Sequence, residues 1–541
     1  MRMRFIYMAA LALFTMSAAA QETYQSANLV TTDLNGTARY VGMGGAMEAL
    51  GADISTMSTN PAGIGLFRRS VINMSAGLVT QTGADTHLSI NGSSADFDGD
   101  KTKLSFDQLG FVYSRRVGRR SYLNFGFNYH KSRNFNQILS AVGGLYNASQ
   151  SKITAMKYDH LKHESSYVQN LLAWNAVDAN YSKMMTYHEV NDPEHDGYPS
   201  YYDFMNGTAY MFGQYQKGYI GEYDFNISGN INERVYLGLT IGVHDVNYRS
   251  DSYYTEDLEG GGFSEGLEYM KIDGTGFDLK LGAIFRPVEE SPFRIGVYVN
   301  SPIFYDLEMD AGHGLYMTDN SNEGESWTNP QYPYDFRINT PWKFGVSLGH
   351  TVGNFLALGA TYEYSDYSTI DNRIKDDGYW YDDWYGDYYY DASSSDDVMN
   401  RHTENSLKGV HTLKLGLEVK PMPQFAIRAG YNFVSAVFDK DAFRDGSLPS
   451  PGVRYATSTN YTNWKSTNRF TLGAGYVGKH FTVDLAYQYS ATNGDFYPFM
   501  QHYEYVVPNK PDSEYNLVSD VSATKVSNYR HQLLLTLGYK F

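Results

Sequence analysis

The stretch YIGEYDFNISGNI, residues 219–231, decides the fold. Tyr219, Gly221, Tyr223, Phe225, Ile227 and Ile231 fall on one side of a two-residue period, and Glu222, Asp224, Asn226, Ser228 and Asn230 on the other. Successive side chains of a strand point to opposite faces, so this segment reads as a strand with one apolar and one polar face. The same alternation recurs in both directions. Fourteen such segments follow residue 70: 71–80, 104–115, 121–134, 219–231, 234–250, 275–286, 292–305, 336–350, 354–367, 409–420, 424–437, 468–478, 480–490 and 529–541.

The connections between them alternate in length. Short links such as 117–120, 351–353 and 421–423 take turns with long ones at 81–103, 135–217, 251–274, 306–335, 368–408, 438–467 and 491–528. Every long link therefore falls at one end. Tight turns at one end, long loops at the other, an even strand number and an apolar face backed by a polar one describe an outer-membrane barrel. Closure also removes the strand edges that lipid could not solvate. The fold class is all-β: a transmembrane antiparallel β-barrel of about fourteen strands.

The N-terminus and the composition agree. Arg2 and Arg4, the apolar run 5–16 and Ala18-Ala19-Ala20 read as a signal peptide over residues 1–20. With 49 Tyr, 29 Phe and 51 Gly but no apolar run long enough for a membrane helix, the chain fits strands with interfacial aromatics. It has no Cys, so stability comes from sheet closure and burial without disulfides. A net charge of -17 with no basic cluster argues against nucleic acid.

A barrel of this width leaks unless something fills it. The stretch ARYVGMGGAMEALGADISTMSTNPAGIGLF, residues 38–67, supplies the plug. It is glycine-rich and almost uncharged, and it precedes the first strand. Met47, Leu50, Ile54 and Met57 recur at helical spacing, and Asn60-Pro61 ends that helix. Residues 21–69 are expected to form an N-terminal luminal hatch and residues 70–541 the barrel.

These residues resemble a family. The G-x-G-G-A element at Gly42–Ala46, including Gly44 and Gly45, and the Asn60-Pro61-Ala62 motif are similar to the hatch of the FadL family of outer-membrane long-chain fatty acid transporters. Thr340-Pro341-Trp342, Ile427-Arg428-Ala429-Gly430-Tyr431, Asn468–Gly473 and FTVDLAYQYS (481–490) extend the likeness along the mature chain. The resemblance implies passive transport of hydrophobic small molecules, such as long-chain fatty acids, with sideways release beside a kinked strand. It implies the outer membrane of a Gram-negative bacterium, with the lipid bilayer and a hydrophobic ligand as partners. Tyr539 and Phe541 resemble the C-terminal signature read by the barrel-assembly machinery. Similar barrels also serve as the shuttle of the type IX secretion system, so a protein-interaction barrel is the alternative.

Within the long link 135–217, Tyr167, Val168, Leu171, Leu172, Trp174 and Val177 mark an amphipathic helix, and Ile138, Leu139, Val142 and Leu145 another. These faces either form an apolar groove that captures ligand or pack the loop onto the barrel rim. Asn60, Pro61 and Ala62 are candidates for gating as well as anchoring, together with Gly42, Gly44 and Gly45. Gly262–Gly266 matches G-x-S-x-G but lies in a Gly-rich loop away from any strand-to-helix elbow. The 14 His show no paired ligand spacing. No catalytic residue, metal or cofactor is expected, and the chain does not read as an enzyme.

Overall fold

A computed structural model of the chain describes residues 22–161, 175–189, 200–318, 323–329, 333–375, 379–383, 386–390, 392–506 and 516–541. Fourteen antiparallel strands close into a ring. They are β1 (Val71–Thr82), β2 (Thr102–Arg116), β3 (Tyr122–Asn134), β4 (Gly207–Ile231), β5 (Val235–Leu258), β6 (Phe263–Phe285) and β7 (Arg294–Asn300). The ring continues with β8 (Lys343–Val352), β9 (Leu356–Asp366), β10 (Gly409–Met422), β11 (Phe425–Val434), β12 (Tyr461–Val477), β13 (Phe481–Tyr497) and β14 (Thr524–Lys540). Each pairs with its neighbours in sequence, and β14 returns to β1, Val71 opposite Lys540 and Thr82 opposite Tyr529.

The wall is inverted relative to a water-soluble sheet. Phe225, Ile227, Leu237, Ile241, Leu279 and Leu281 face outward and are exposed, while Asp224, Asn226, Thr240, Asp278 and Lys280 face inward and are buried. An exposed apolar belt around a polar interior suits hydrocarbon outside the barrel.

The strands outrun that belt. β4, β5 and β6 have 25, 24 and 23 residues, whereas about ten cross a bilayer. The expected long loop at 251–274 is therefore not a loop. β5 and β6 stay paired from Val235–Phe285 to Asp257–Phe263, leaving only the five residues 258–262 between the last pair. Beyond the membrane the outward face no longer has to be apolar, so the alternation fades while the backbone ladder continues. Strands Phe304–Thr318, Tyr334–Asn339 and Asp371–Lys375 raise the wall in the same way within two other links.

Residues 137–144 form a strand, not the expected helix. Gln137–Gly144 pairs with the far half of β4. Ile138 packs with Ala84 and Tyr215, and Leu139 packs in a separate cluster with Tyr210 and Phe212. Burial on both faces puts apolar residues at adjacent positions, which imitates helical spacing.

The N-terminal segment fills the barrel. Helix α1 (Thr23–Val30) lies toward the loop end, its Ala27, Leu29 and Val30 packed with Phe135, Ile220, Tyr248 and Ile272 of the wall. Helix α2 (Ala38–Gly42) and two 3-10 turns, Ile54–Ser58 and Pro61–Leu66, form the hatch nearer the turn end. The continuous helix expected over Met47–Met57 is broken, because Gly51 (φ 60°) and Ala52 (φ 54°) take left-handed backbone. Outside the barrel, helices α3 (Gln150–Leu161) and α4 (Ala176–Met184) cap the loop end.

Candidate functional site: a plugged lumen and a parted wall

The hatch sits against backbone. Gly349, Gly359, Gly416 and Gly430 are cross-strand partners in one row over β8 to β11. A Cβ on Gly359 would overlap the carbonyl of Ala46, on Gly416 that of Met43, and on Gly430 the amide of Gly44. On the opposite wall, a Cβ on Gly238 would lie 2.5 Å from Ala62 N. Only strands without side chains at this height let hatch and wall backbones meet.

The sequence candidates in the hatch lie at this seam. Gly42 lies against Gly473, Gly44 against Leu415 and Tyr431, and Gly45 turns beneath Leu34. Asn60 Oδ1 accepts from Ala62 N (3.2 Å) and caps the second 3-10 turn, with Pro61 at its first position. Pro61 O accepts from Asn226 Nδ2 (3.5 Å), so the motif docks on β4 and β5.

Two ionic contacts fasten the hatch, the first buried on both sides and the second partly exposed at Arg39. Glu48 receives Lys414 Nζ (2.9 Å), Thr361 Oγ1 (2.7 Å) and Tyr40 OH (3.1 Å). Arg39 Nε meets Glu418 Oε2 at 3.2 Å, and Arg428 bridges Glu418 (2.7 Å) to Asp484 (2.6 Å). Removing one partner of a buried pair such as Glu48–Lys414 costs about 3–5 kcal/mol.

The wall itself parts between β2 and β3. Their pairing runs from Arg116–Tyr122 only to Gln108–His130, although β2 begins at Thr102 and β3 ends at Asn134. Bulges flank the parting: Asp107 is skipped between β1 and β2, and Ser132 between β3 and β4. The free edge of β3 is taken by the N-terminal segment. Asp33 N donates to Ser132 O (2.8 Å), Asn134 N donates to Asp33 Oδ2 (2.9 Å), and Asn35 Nδ2 donates to Lys131 O (3.1 Å) and Asp107 Oδ1 (3.0 Å). Residues 33–35 thus take the place of β2 on the free edge of β3. Outside the parting, Phe106, Tyr129, Tyr219 and Tyr223 gather, with Lys131 Nζ 5.1 Å from the Tyr219 ring.

Behind the parting lies a luminal cavity of about 330 Å³. Tyr24, Leu139, Tyr248, Met270, Val437 and Phe438 give it an apolar side. The other side is charged. Arg133, Arg469 and Arg530 converge on the Asp33 carboxylate at 3.4, 3.8 and 3.7 Å. Three guanidinium groups thus face one carboxylate of the chain's own N-terminal segment.

Of the loop candidates, Tyr167, Val168, Leu171, Leu172 and Trp174 lie outside the described residues. Val177 is buried in α4 against Ala155, Tyr181, Leu258, Leu315 and Met317. It belongs to the packed interior of the cap, which corrects its assignment to an open groove. Ser264 of the G-x-S-x-G match sits in β6, its hydroxyl held by Tyr181 OH (2.8 Å) and Glu256 (3.2 Å). Sequence reasoning missed the arginine trio, the glycine seat and the parting.

No protein-family model matches the chain, and no curated protein matches it in sequence. Solved structures similar to it include a FadL homologue of Pseudomonas aeruginosa, with 12% identity and a TM-score of 0.47. The toluene transporter TbuX of Ralstonia pickettii has 12% identity and a TM-score of 0.48, and the P. putida toluene transporter TodX 11% and 0.46. Each likeness covers 94% of this chain and 99% of the other. The chain is a closed fourteen-strand barrel, plugged by its own N-terminal segment and with β2 and β3 unpaired over part of their length, and it is similar to these three structures.

Proposed function

We propose that the protein is a passive channel for hydrophobic small molecules in the outer membrane of a Gram-negative bacterium. Its substrate passes from the loop end into the luminal cavity and leaves sideways between β2 and β3. One observation carries this reading: the ladder between β2 and β3 is missing over a stretch of wall, and residues 33–35, which belong to no strand of the ring, fill it. The apolar side of the cavity suits a hydrocarbon body, and Arg133, Arg469 and Arg530 suit an acidic head such as that of a long-chain fatty acid. The exposed apolar belt makes the bilayer both the solvent of the wall and the destination of the substrate. We further assign Phe541, exposed at the end of β14, to recognition by the barrel-assembly machinery.

The absence of cysteine gives a direct test. Asn35→Cys with Lys131→Cys places two thiols across the seam between the filling segment and β3. Oxidation is expected to stop delivery of a fluorescent fatty acid into vesicles holding the barrel, and reduction to restore it. Equal delivery by the oxidised and reduced forms would overturn lateral release.

A further inference from the structure

On the luminal faces of β3 to β6, three carboxylates, one ammonium and two imidazoles are buried together. Lys280 Nζ lies 2.8 Å from Glu222 Oε1, 3.0 Å from Asp224 Oδ1 and 2.8 Å from Asp278 Oδ1. His130 Nε2 is 3.5 Å from Glu222 Oε2, and His130 Nδ1 is 3.9 Å from Asp224 Oδ2. His244 Nε2 is 3.3 Å from Asp278 Oδ1. None of the six side chains is more than 7% exposed.

The charges do not balance. With all three carboxylates ionised, Glu222, Asp224 and Asp278 bring three negative charges and Lys280 one positive, so with neutral imidazoles two negative charges are left for protons or a cation to neutralise. Buried charge without a partner is costly. Lys280 occupies one oxygen of each carboxylate. Asp224 Oδ2, fully buried, has no hydrogen bond and turns toward His130. One ligand atom each from His130, Glu222 and Asp224 lie within 4.8 Å of one another.

We propose that His130, Glu222 and Asp224 hold one divalent transition-metal ion of the zinc class. Two positive charges cancel the excess, and an imidazole with two carboxylates is a donor set that such ions accept. His130 and Glu222 also line the cavity, which leaves a coordination position open to water. The ion's role follows from its place. His130 is the last residue of β3 paired to β2, and Glu222 is its partner on β4. The ion rivets β3 to β4 where the other edge of β3 comes free.

The experiment uses the full barrel in detergent, stripped with chelator, in a His87→Ala/His188→Ala/His502→Ala background. That background removes three exposed His–Asp pairs that would bind zinc adventitiously. Zinc alone is titrated calorimetrically, and the barrel's heat-unfolding temperature is followed by gel shift. The expected result is one ion per chain and a raised unfolding temperature, with affinity lowered at least tenfold by His130→Gln and by the near-isosteric Asp224→Asn. A barrel that binds no zinc, or binds it equally well in both variants, overturns the proposal. Should His130→Gln not assemble, Asp224→Asn decides alone.

Discussion

Replacing Gly44 with alanine tests whether the hatch is held by contact between backbones. Gly44 has φ 63°, a left-handed conformation that costs an alanine about 1 kcal/mol or more. The new Cβ would also lie 2.8 Å from Leu415 O and 2.8 Å from Tyr431 N, both backbone atoms of the wall. Ordinary contact begins near 3.4 Å, so the hatch must retreat by several tenths of an ångström. Overpacking of this kind costs about 1–3 kcal/mol. The sum, roughly 2–4 kcal/mol, moves the docked-to-undocked ratio of the hatch by between one and three powers of ten. Retreat also stretches the Glu48–Lys414 contact, which spans the same seam. The outward belt and the ladder of β1 to β14 are untouched, so the barrel should assemble and keep its heat-modifiable migration. The readouts are amide hydrogen exchange over residues 38–66 and entry of a polar antibiotic that the plugged barrel excludes. Faster exchange and greater entry are expected. Wild-type protection and wild-type exclusion in Gly44→Ala would refute the idea that the seam has no room for a methyl group.

Asp33→Asn removes the carboxylate on which Arg133, Arg469 and Arg530 converge. A fatty acid should bind about tenfold or more tightly to this variant, and a neutral alkane no better than to the wild type, as measured by displacement of a fluorescent probe. Asn60→Ala loses the cap on Ala62 N and should destabilise the hatch by about 1 kcal/mol, read by hydrogen exchange of residues 60–66. Normal uptake in that variant would assign Asn60 to anchoring alone. Glu256, buried at the loop end of β5 beneath the cap beside Tyr181, Tyr254 and Ser264, is pushed up from 4.5 to about 7 by desolvation. For an acid raised in the folded state, the fold holds the proton longer than the unfolded chain does. Cap stability should therefore fall as pH rises from about 4.5 to about 7 and then level off, by roughly 3 kcal/mol in all. Thermal unfolding of the cap at pH 5.5 and pH 8 measures the difference, and Glu256→Gln should abolish it.

The staves were legible because the bilayer enforces the signal. A wall with lipid on one face and a polar plug on the other must alternate, and each of the fourteen segments read from that alternation contains a strand of the ring, although 292–305 and 336–350 run across breaks at 301–303 and 340–342 into the strands that raise the wall. The signal stops where the lipid stops. Past about residue 245 in β5, tyrosines, aspartates and serines can face either way, so the ladder persists unseen. The glycine seat was hidden for a different reason. A mid-strand glycine reads as a weak strand position, and only cross-strand register shows that Gly349, Gly359, Gly416 and Gly430 make one row.

The parting, by contrast, leaves a mark in one dimension. In β2 the outward residues are Leu104 and Phe106, then Leu109, Phe111 and Tyr113. The period of two slips by one between Phe106 and Leu109, with both Asp107 and Gln108 turned inward and buried. A slip of one residue would reverse every later side chain unless a bulge absorbs it. The bulge lies there: Ser75 pairs with Gln108 and Ala76 with Phe106. It turns the Asp107 carboxylate to Asn35, and the next strand separates from β2 beyond the adjacent Gln108–His130 pair. The same two residues that break the alternation therefore begin the gap and supply the acceptor for the segment that closes it. Deleting Asp107 restores an unbroken period of two. If the slip causes the gap, β2 and β3 should then pair past His130, Asn35 should lose its Asp107 acceptor and residues 33–35 their place on the β3 edge, and delivery of substrate to the bilayer should stop in a barrel that still assembles.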